Sequence, residues 1–272
     1  MIQKADYLGK GLSLKHWISD EGINPDSFSQ DQWKLIYFKQ GEGTYTVNGK
    51  IYHPVKNDLI IVRPLDYHCL TVEPGILYDR YVIHFNENLM LSNICQLLPL
   101  GIDVIHCGSQ DQIGSMFRKL EQYMEHFDGE IRHAMLVHIT EEILCQALLG
   151  SKRAGSGSDY AENPLVTKAV QYIKENITKP MQVEQLLEYL HISKAYLDRL
   201  FRQYMNTTPK RYIISQKLIL ARQELLAGAR ATDVCDRYGF PDYSNFYRQY
   251  VQYYRDKPSE SRERETMADE TY

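Results

Sequence analysis

The chain has 272 residues, 43% of them apolar and 24% charged, with a formal net charge of −4. That length suits two domains with a core each, and the composition excludes global disorder. No run approaches 18 consecutive apolar residues, which excludes a membrane-spanning helix of the ordinary kind. The opening Met1–Asp6 begins no apolar stretch of leader length, so a cytoplasmic protein is expected. Five cysteines, Cys69, Cys95, Cys107, Cys145 and Cys235, are scattered without a C-x-x-C pair. They read as small buried apolar residues rather than a disulfide framework or zinc site, and no cofactor is expected.

The N-terminal part reads as short strands. Lys34–Lys39 is strand-like, Gly41-Glu42-Gly43 turns, and Thr44–Val47 follows. Asn48-Gly49 then predicts a two-residue hairpin, because both central residues of a type I′ turn need positive φ. Ile51–Val55, Leu59–Val62 and Tyr78–Phe85 are further strands, with turns at Lys56–Asp58 and Pro64–His68. This spacing predicts an antiparallel sandwich or small barrel. From Asp111 the period changes: Ile113, Met116, Phe117, Leu120, Tyr123, Met124 and Phe127 keep helical spacing. Asp128-Gly129 breaks that helix, and Ile131–Leu149 is a second one, apolar around much of its circumference. A partner subunit on one side, or packing within its own domain alone, both fit that breadth.

Gly150–Asp159 is rich in Gly and Ser and reads as a linker, set at 151–161 between a first domain at 1–150 and a second at 162–262, with a polar tail at 263–272. Charge divides along the same lines: residues 1–161 carry −6, 162–258 carry +5 and the last 14 carry −3. A basic module inside an otherwise acidic chain suits a polyanion partner.

The second domain contains a repeat. At an offset of 49 residues, Leu197 superposes on Phe246, Arg199 on Arg248, Phe201 on Tyr250, Gln203 on Gln252, Tyr204 on Tyr253 and Pro209 on Pro258. In the first copy Val183–Leu190 is a short helix, His191-Ile192 the turn, and Ser193 the N-cap of a longer helix from Lys194 to Tyr204. In the second, Thr232–Tyr238, Gly239-Phe240-Pro241 and Asp242 play these parts before a helix from Tyr243 to Tyr254. A helix from Tyr212 to Leu226 joins the copies, and each Pro suits the first turn of a following helix. Two helix–turn–helix units on a stiff connector could enter successive major grooves about 34 Å apart. Arg199 and Arg248 occupy equivalent outward positions, and Arg is the best bidentate reader of guanine.

These residues resemble the AraC/XylS family of bacterial transcription activators over Leu165 to about Arg262. The similarity is sharpest in Ser193–Arg202 and in Gly239–Arg248, the latter close to the family signature GF-x-D-x-S-x-F-x-R. The resemblance implies groove contacts from Lys194, Ala195, Asp198, Arg199 and Arg202, and from Tyr243, Ser244, Asn245, Tyr247 and Arg248. Asn206 and Arg255 stand where the family has Gly after each recognition helix, and Leu187 and Cys235 where it has a small Ala. The N-terminal part is similar, more loosely, to the cupin-like sensor domains of such regulators, through Gln40–Gly43, Asn57–Ile61, Pro64-x-x-x-His68 and His84-Phe85. The implied fold is α+β with two domains: a cupin-like antiparallel β-barrel with a helix hairpin, then an all-α domain with two helix–turn–helix units. The implied function is a ligand-responsive homodimeric regulator of double-stranded DNA, dimerising through 111–149 and working with RNA polymerase.

In the barrel, Tyr37, Gln40, Tyr45, His68 and Tyr81 are the candidate effector contacts. The tyrosines could stack on a sugar-like polar ligand or simply fill the core. His68 reads equally as a pocket residue or a hydrogen-bonded histidine at a strand end. A barrel that only dimerises or binds a protein partner is the alternative. A metal-dependent enzyme is disfavoured, because His53, His68 and His84 are single and no H-x-H, G-x-S-x-G or phosphate loop occurs.

Overall fold

The computed structural model describes residues 2–22, 31–107, 112–154, 160–179 and 181–259. Among the described residues nine strands come first: β1 (Ile2–Gly9), β2 (Leu12–Ser19), β3 (Trp33–Gln40), β4 (Thr44–Val47), β5 (Lys50–Tyr52), β6 (Asp58–Val62), β7 (His68–Thr71), β8 (Tyr78–Phe85) and β9 (Val104–His106). A single helical turn, α1 (Ile94–Leu97), precedes β9, and α2 (Gln112–His126) and α3 (Gly129–Ala154) follow it. The helical domain comprises α4 (Pro164–Asn176), α5 (Val183–Leu190), α6 (Lys194–Met205), α7 (Pro209–Leu226), α8 (Ala231–Arg237) and α9 (Tyr243–Tyr254). The architecture is thus α+β in two domains. No helix among the described residues is long and apolar enough to cross a membrane.

The expected closed barrel is not formed among the described residues. The strands make a six-stranded sheet in the order β1-β2-β8-β3-β6-β9 and a separate three-stranded sheet in the order β5-β4-β7, all antiparallel. Among the described residues no ladder joins them, so closure is replaced by face-to-face packing of two sheets. The β1–β2 hairpin, which the sequence reading did not include, forms one edge of the larger sheet.

Strand alternation gives the larger sheet two buried faces. Leu14, Leu35, Leu59, Tyr81 and Ile83 face α2 and α3, where Phe117, Leu120, Ile139 and Ile143 complete the core. Ile36, Phe38, Ile60 and Val82 face the small sheet, meeting Tyr45, Val47 and Leu70. The Asn48-Gly49 hairpin forms as expected, with φ of 49° and 87°. Gly49 has a second reason to lack a side chain: a Cβ there would lie 2.6 Å from Val166 Cγ1 on α4.

Helix α3 runs four residues beyond the expected start of the linker, to Ala154. Gly150 lies against Ile105, where an added Cβ would come within 2.9 Å of Cγ2, and Ser151 is buried with its Oγ donating to the Leu148 carbonyl at 2.8 Å. Packing on β9 therefore prolongs the helix through residues whose composition suggested a coil. At the far end Ala161 is held in a backbone bridge to Ile51. The Gly-Ser run at 155–159, the start of the helix pair at Asp111 and the tail at 263–272 lie outside the described residues.

Candidate nucleic-acid interface

Helices α6 and α9 are built alike, and the 49-residue offset extends to their ends. Ser193 caps α6, its Oγ accepting from Tyr196 N at 3.3 Å; Asp242 caps α9, its Oδ1 accepting from Asn245 N at 2.7 Å. Both helices stop at a residue in the left-handed region, Asn206 with φ 50° and Arg255 with φ 57°. Leu197, Leu200 and Phe201 bury one side of α6 in the core made with α4, α5 and α7. Phe246 and Tyr250 bury the matching side of α9 against α7 and α8. Cys235 is fully buried in that second core, while the bulkier Leu187 is only half-buried at the margin of the first, which is how the larger side chain is accommodated.

The burial of the paired stripes leaves the other faces outward. Lys194, Ala195, Arg199 and Arg202 of α6 are exposed, as are Tyr243, Ser244 and Arg248 of α9; Asp198, Asn245 and Tyr247 are half-buried. The N-terminal halves of the two helices border a shared cleft of about 750 Å³, whose wall includes Lys194, Asp198, Lys210, Lys217, Asn245 and Arg248. The full lining carries four cations against two carboxylates, Glu184 and Asp198. Lys217 is the buried one, 5% exposed with Nζ 6.0 Å from the Phe240 ring centre. Arg199 does not line the cleft; its guanidinium lies over the Tyr196 ring at 5.0 Å. Neither Arg199 nor Arg248 forms an ion pair with a carboxylate among the described residues, although Asp198 and Asp242 are near in sequence.

The five candidate effector contacts are not brought to one place. Tyr37 and Tyr81 lie on the helix-facing side of the large sheet. Tyr37 donates to Asn57 Oδ1 at 2.9 Å and stacks on Phe117; Tyr81 donates to Glu121 Oε2 at 2.9 Å and stacks on His16. Tyr45 and His68 lie between the sheets, their rings stacked at 6.2 Å, and Gln40 is exposed at the end of β3. Two groups escaped the sequence reading. One is the pair Lys34 and Arg80, which lie between the sheets with His84, a histidine the sequence offered only as a structural one. A lysine inside the otherwise apolar run Trp33–Phe38 was the available signal. The other is His16, whose Nε2 meets Asp79 Oδ1 at 2.7 Å while Nδ1 meets Glu121 of α2. Burial opposes a charge on His16, but its bonds to Asp79 and Glu121 outweigh that and raise its pKa above the ordinary histidine value. Among the described residues no three His, Cys, Asp or Glu side chains group as metal ligands.

The comparisons with known proteins match this geometry. A helix-turn-helix domain family model matches residues 186–264. The transcriptional regulator GbdR of Pseudomonas aeruginosa is 31% identical over 91 residues, 32% of this chain; the chain thus spans only a quarter of that relative's length (25%). The transcriptional activator RhaS of Escherichia coli O139:H28 is 26% identical over 233 residues, 79% of this chain and 80% of RhaS, so that match includes the sheet domain. A crystal structure of an AraC-type regulator from Chromobacterium violaceum aligns with 38% of this chain and 92% of its own at 29% identity and a TM-score of 0.35. A helix-turn-helix domain over 186–264, and similarity to the activator RhaS over 79% of the chain, make this chain similar to helix-turn-helix transcriptional regulators.

Proposed function

We propose that this AraC-type DNA-binding regulator reads its operator with α6 and α9 and is controlled by a small molecule held in the sheet domain. Lys194, Ala195, Asp198, Arg199 and Arg202 form the first reading surface, and Tyr243, Ser244, Asn245, Tyr247 and Arg248 the second. The observation that carries this is the pair of equivalently capped helices whose exposed N-terminal halves border one basic cleft. Residues 1–150 sense and dimerise, and 162–262 bind DNA. The apolar residues Ile131 and Leu149, 58% and 47% exposed on α3, support a homodimer through the helix pair. The protein works in the cytoplasm with RNA polymerase as its downstream partner.

The test is binding to duplexes selected by the full chain from a randomised pool. Arg248→Ala costs about 1–3 kcal/mol on the selected sequence and relaxes preference at one position. Lys210→Ala, removing a charge from the cleft wall, weakens all sequences alike and lowers the salt slope by about one. If Arg248→Ala loses affinity equally on selected and random DNA, Arg248 is a phosphate contact and the reading role of α9 falls.

A further inference from the structure

On the face of the large sheet that meets the small one, the register sets Lys34 opposite His84, His84 opposite Ser13, and Phe38 opposite Arg80. Tyr45 and His68 of the small sheet close over them. Lys34 Nζ lies 2.7 Å from His68 Nε2, and Ser13 Oγ lies 3.2 Å from His84 Nδ1. Among the described residues three buried atoms here have no hydrogen-bond partner: Arg80 Nε, His84 Nε2 and Tyr45 Oη. The Ser13–His84 contact fits either histidine tautomer; Arg80 Nε is a donor, Tyr45 Oη can donate, and His84 Nε2 donates in the tautomer that takes the Ser13 proton at Nδ1. No carboxylate forms an ion pair with Arg80 among the described residues. Its guanidinium instead lies over the Tyr78 ring at 5.5 Å.

Burial, and next the charge of Arg80, pushes Lys34 down to about 7. Burial, followed by Lys34, Lys15 and Arg80, pushes His84 down to about 3, so its ring is neutral at ordinary pH. The charges that bear on these two groups are therefore cationic. Donors without acceptors, around an arginine that cannot shed its proton, leave positive potential that a protein interior does not ordinarily retain uncompensated.

We infer that the inter-sheet space is the effector site and takes a compact oxyanion, a carboxylate or a phosphate ester, held by Arg80, His84 and Tyr45 with Lys34 behind them. This rests on the reading of the sheet domain as a sensor and narrows its ligand class: a neutral sugar would leave the Arg80 charge unmatched. Arg80 and His84 are partly exposed as residues, while the three orphaned atoms themselves are buried. The guanidinium fork suits a two-oxygen face, and the tyrosine and histidine protons complete the shell.

The test is thermal unfolding of the full chain in inorganic phosphate, glucuronate or glucose, at matched ionic strength against chloride. Phosphate or glucuronate should raise the Tm by several degrees once well above its Kd, and glucose should not. Whichever anion acts at lower concentration identifies the oxyanion type. Arg80→Gln should abolish that rise while melting higher than wild type without ligand, because an unmatched charge is gone. Tyr45→Phe, which deletes only an unsatisfied hydroxyl and preserves the fold, should weaken the same anion about tenfold. The anion site is overturned if Arg80→Gln melts below wild type without ligand, or if the anions shift both proteins alike. Stabilisation by glucose instead overturns the anion class and leaves the sensor reading standing. An anion that binds through Arg80 yet leaves affinity for selected DNA unchanged confirms the site and sinks the sensor reading.

Discussion

Tyr67, at the end of the turn between β6 and β7, stands edge-on to Tyr212 of α7, with ring centres 5.2 Å apart and planes at 81°. A residue of the sheet domain is thus built into the core of the first helix–turn–helix unit, beside Val166, Leu197 and Phe201. Polar bonds rim this contact. Lys174 Nζ donates to Asp66 Oδ1 at 2.9 Å, and Gln216 Nε2 donates to the Leu65 carbonyl at 3.1 Å. Leu65 holds a positive φ of 69° to present that carbonyl.

Tyr67→Ala therefore acts on both domains. Removing a ring that is 3% exposed should cost about 3 kcal/mol. It should also loosen the coupling between the two domains' unfolding, since the aromatic bridge is lost while each domain keeps its own core. Urea unfolding followed by far-ultraviolet circular dichroism measures this; an unchanged midpoint and slope would show that the ring contact does not couple the domains.

Arg255 ends α9 in the left-handed region, where a side chain strains the backbone by roughly 1–2 kcal/mol. Its repeat partner Asn206 tolerates the same conformation better. Arg255→Gly should relieve the strain and give back part of it through the freer unfolded chain, for a net stabilisation of about 0.5–1 kcal/mol. Asn206→Gly should gain less. Chemical denaturation of both variants tests the order; a destabilised Arg255→Gly would mean that the side chain makes a compensating contact.

The helical domain was legible because its signals are local. Ser193 and Asp242 cap, Phe246 and Leu197 bury, and Pro209 opens α7, all within a few residues of the elements they define. The sheet domain was legible only as strands. Whether β5 and β7 close onto β6 depends on ladders between distant residues, and nothing near Lys50 or Thr71 signals that they pair with β4 alone. The same limit scattered the effector candidates. Tyr37 and Tyr45 look alike in sequence, yet strand alternation and sheet order send one to the helices and the other between the sheets. Lys34 and Arg80 are 46 positions apart and meet only through the pairing of β3 with β8.

The two N-caps offer an internal comparison. Ser193→Ala and Asp242→Ala should each cost about 1 kcal/mol by freeing a backbone donor at the start of α6 or α9. Asp242 carries a full charge at the positive end of α9 and makes the shorter bond, so its loss should be the larger. Amide hydrogen exchange at Tyr196 and Asn245 reads each cap directly, and protection unchanged by either substitution would rule out the cap as the helix start signal.

The bond from His16 to Asp79 and Glu121 ties α2 to the large sheet, and its pH dependence follows from three shifts. Burial acts against ionisation at every member. Even so, His16 is raised by Asp79 and Glu121, Asp79 is lowered by His16 and Lys39, and Glu121 is lowered by His16 and Tyr81. The His16 contribution is complete below its unfolded pKa of about 6.5 and fades as pH rises through its folded value. The Asp79 and Glu121 contributions are complete above their unfolded values near 4 and fade as pH falls through their folded ones. All three coincide between about pH 5 and 6.5, where stability should peak. Asp79→Asn breaks the buried pair and should cost on the order of 3 kcal/mol at pH 6. The cost should shrink as pH rises through the folded value of His16, which lies above its ordinary one. Urea midpoints from pH 5 to 9 for both proteins decide it: parallel curves would show that His16 is neutral throughout and that α2 is held by packing alone.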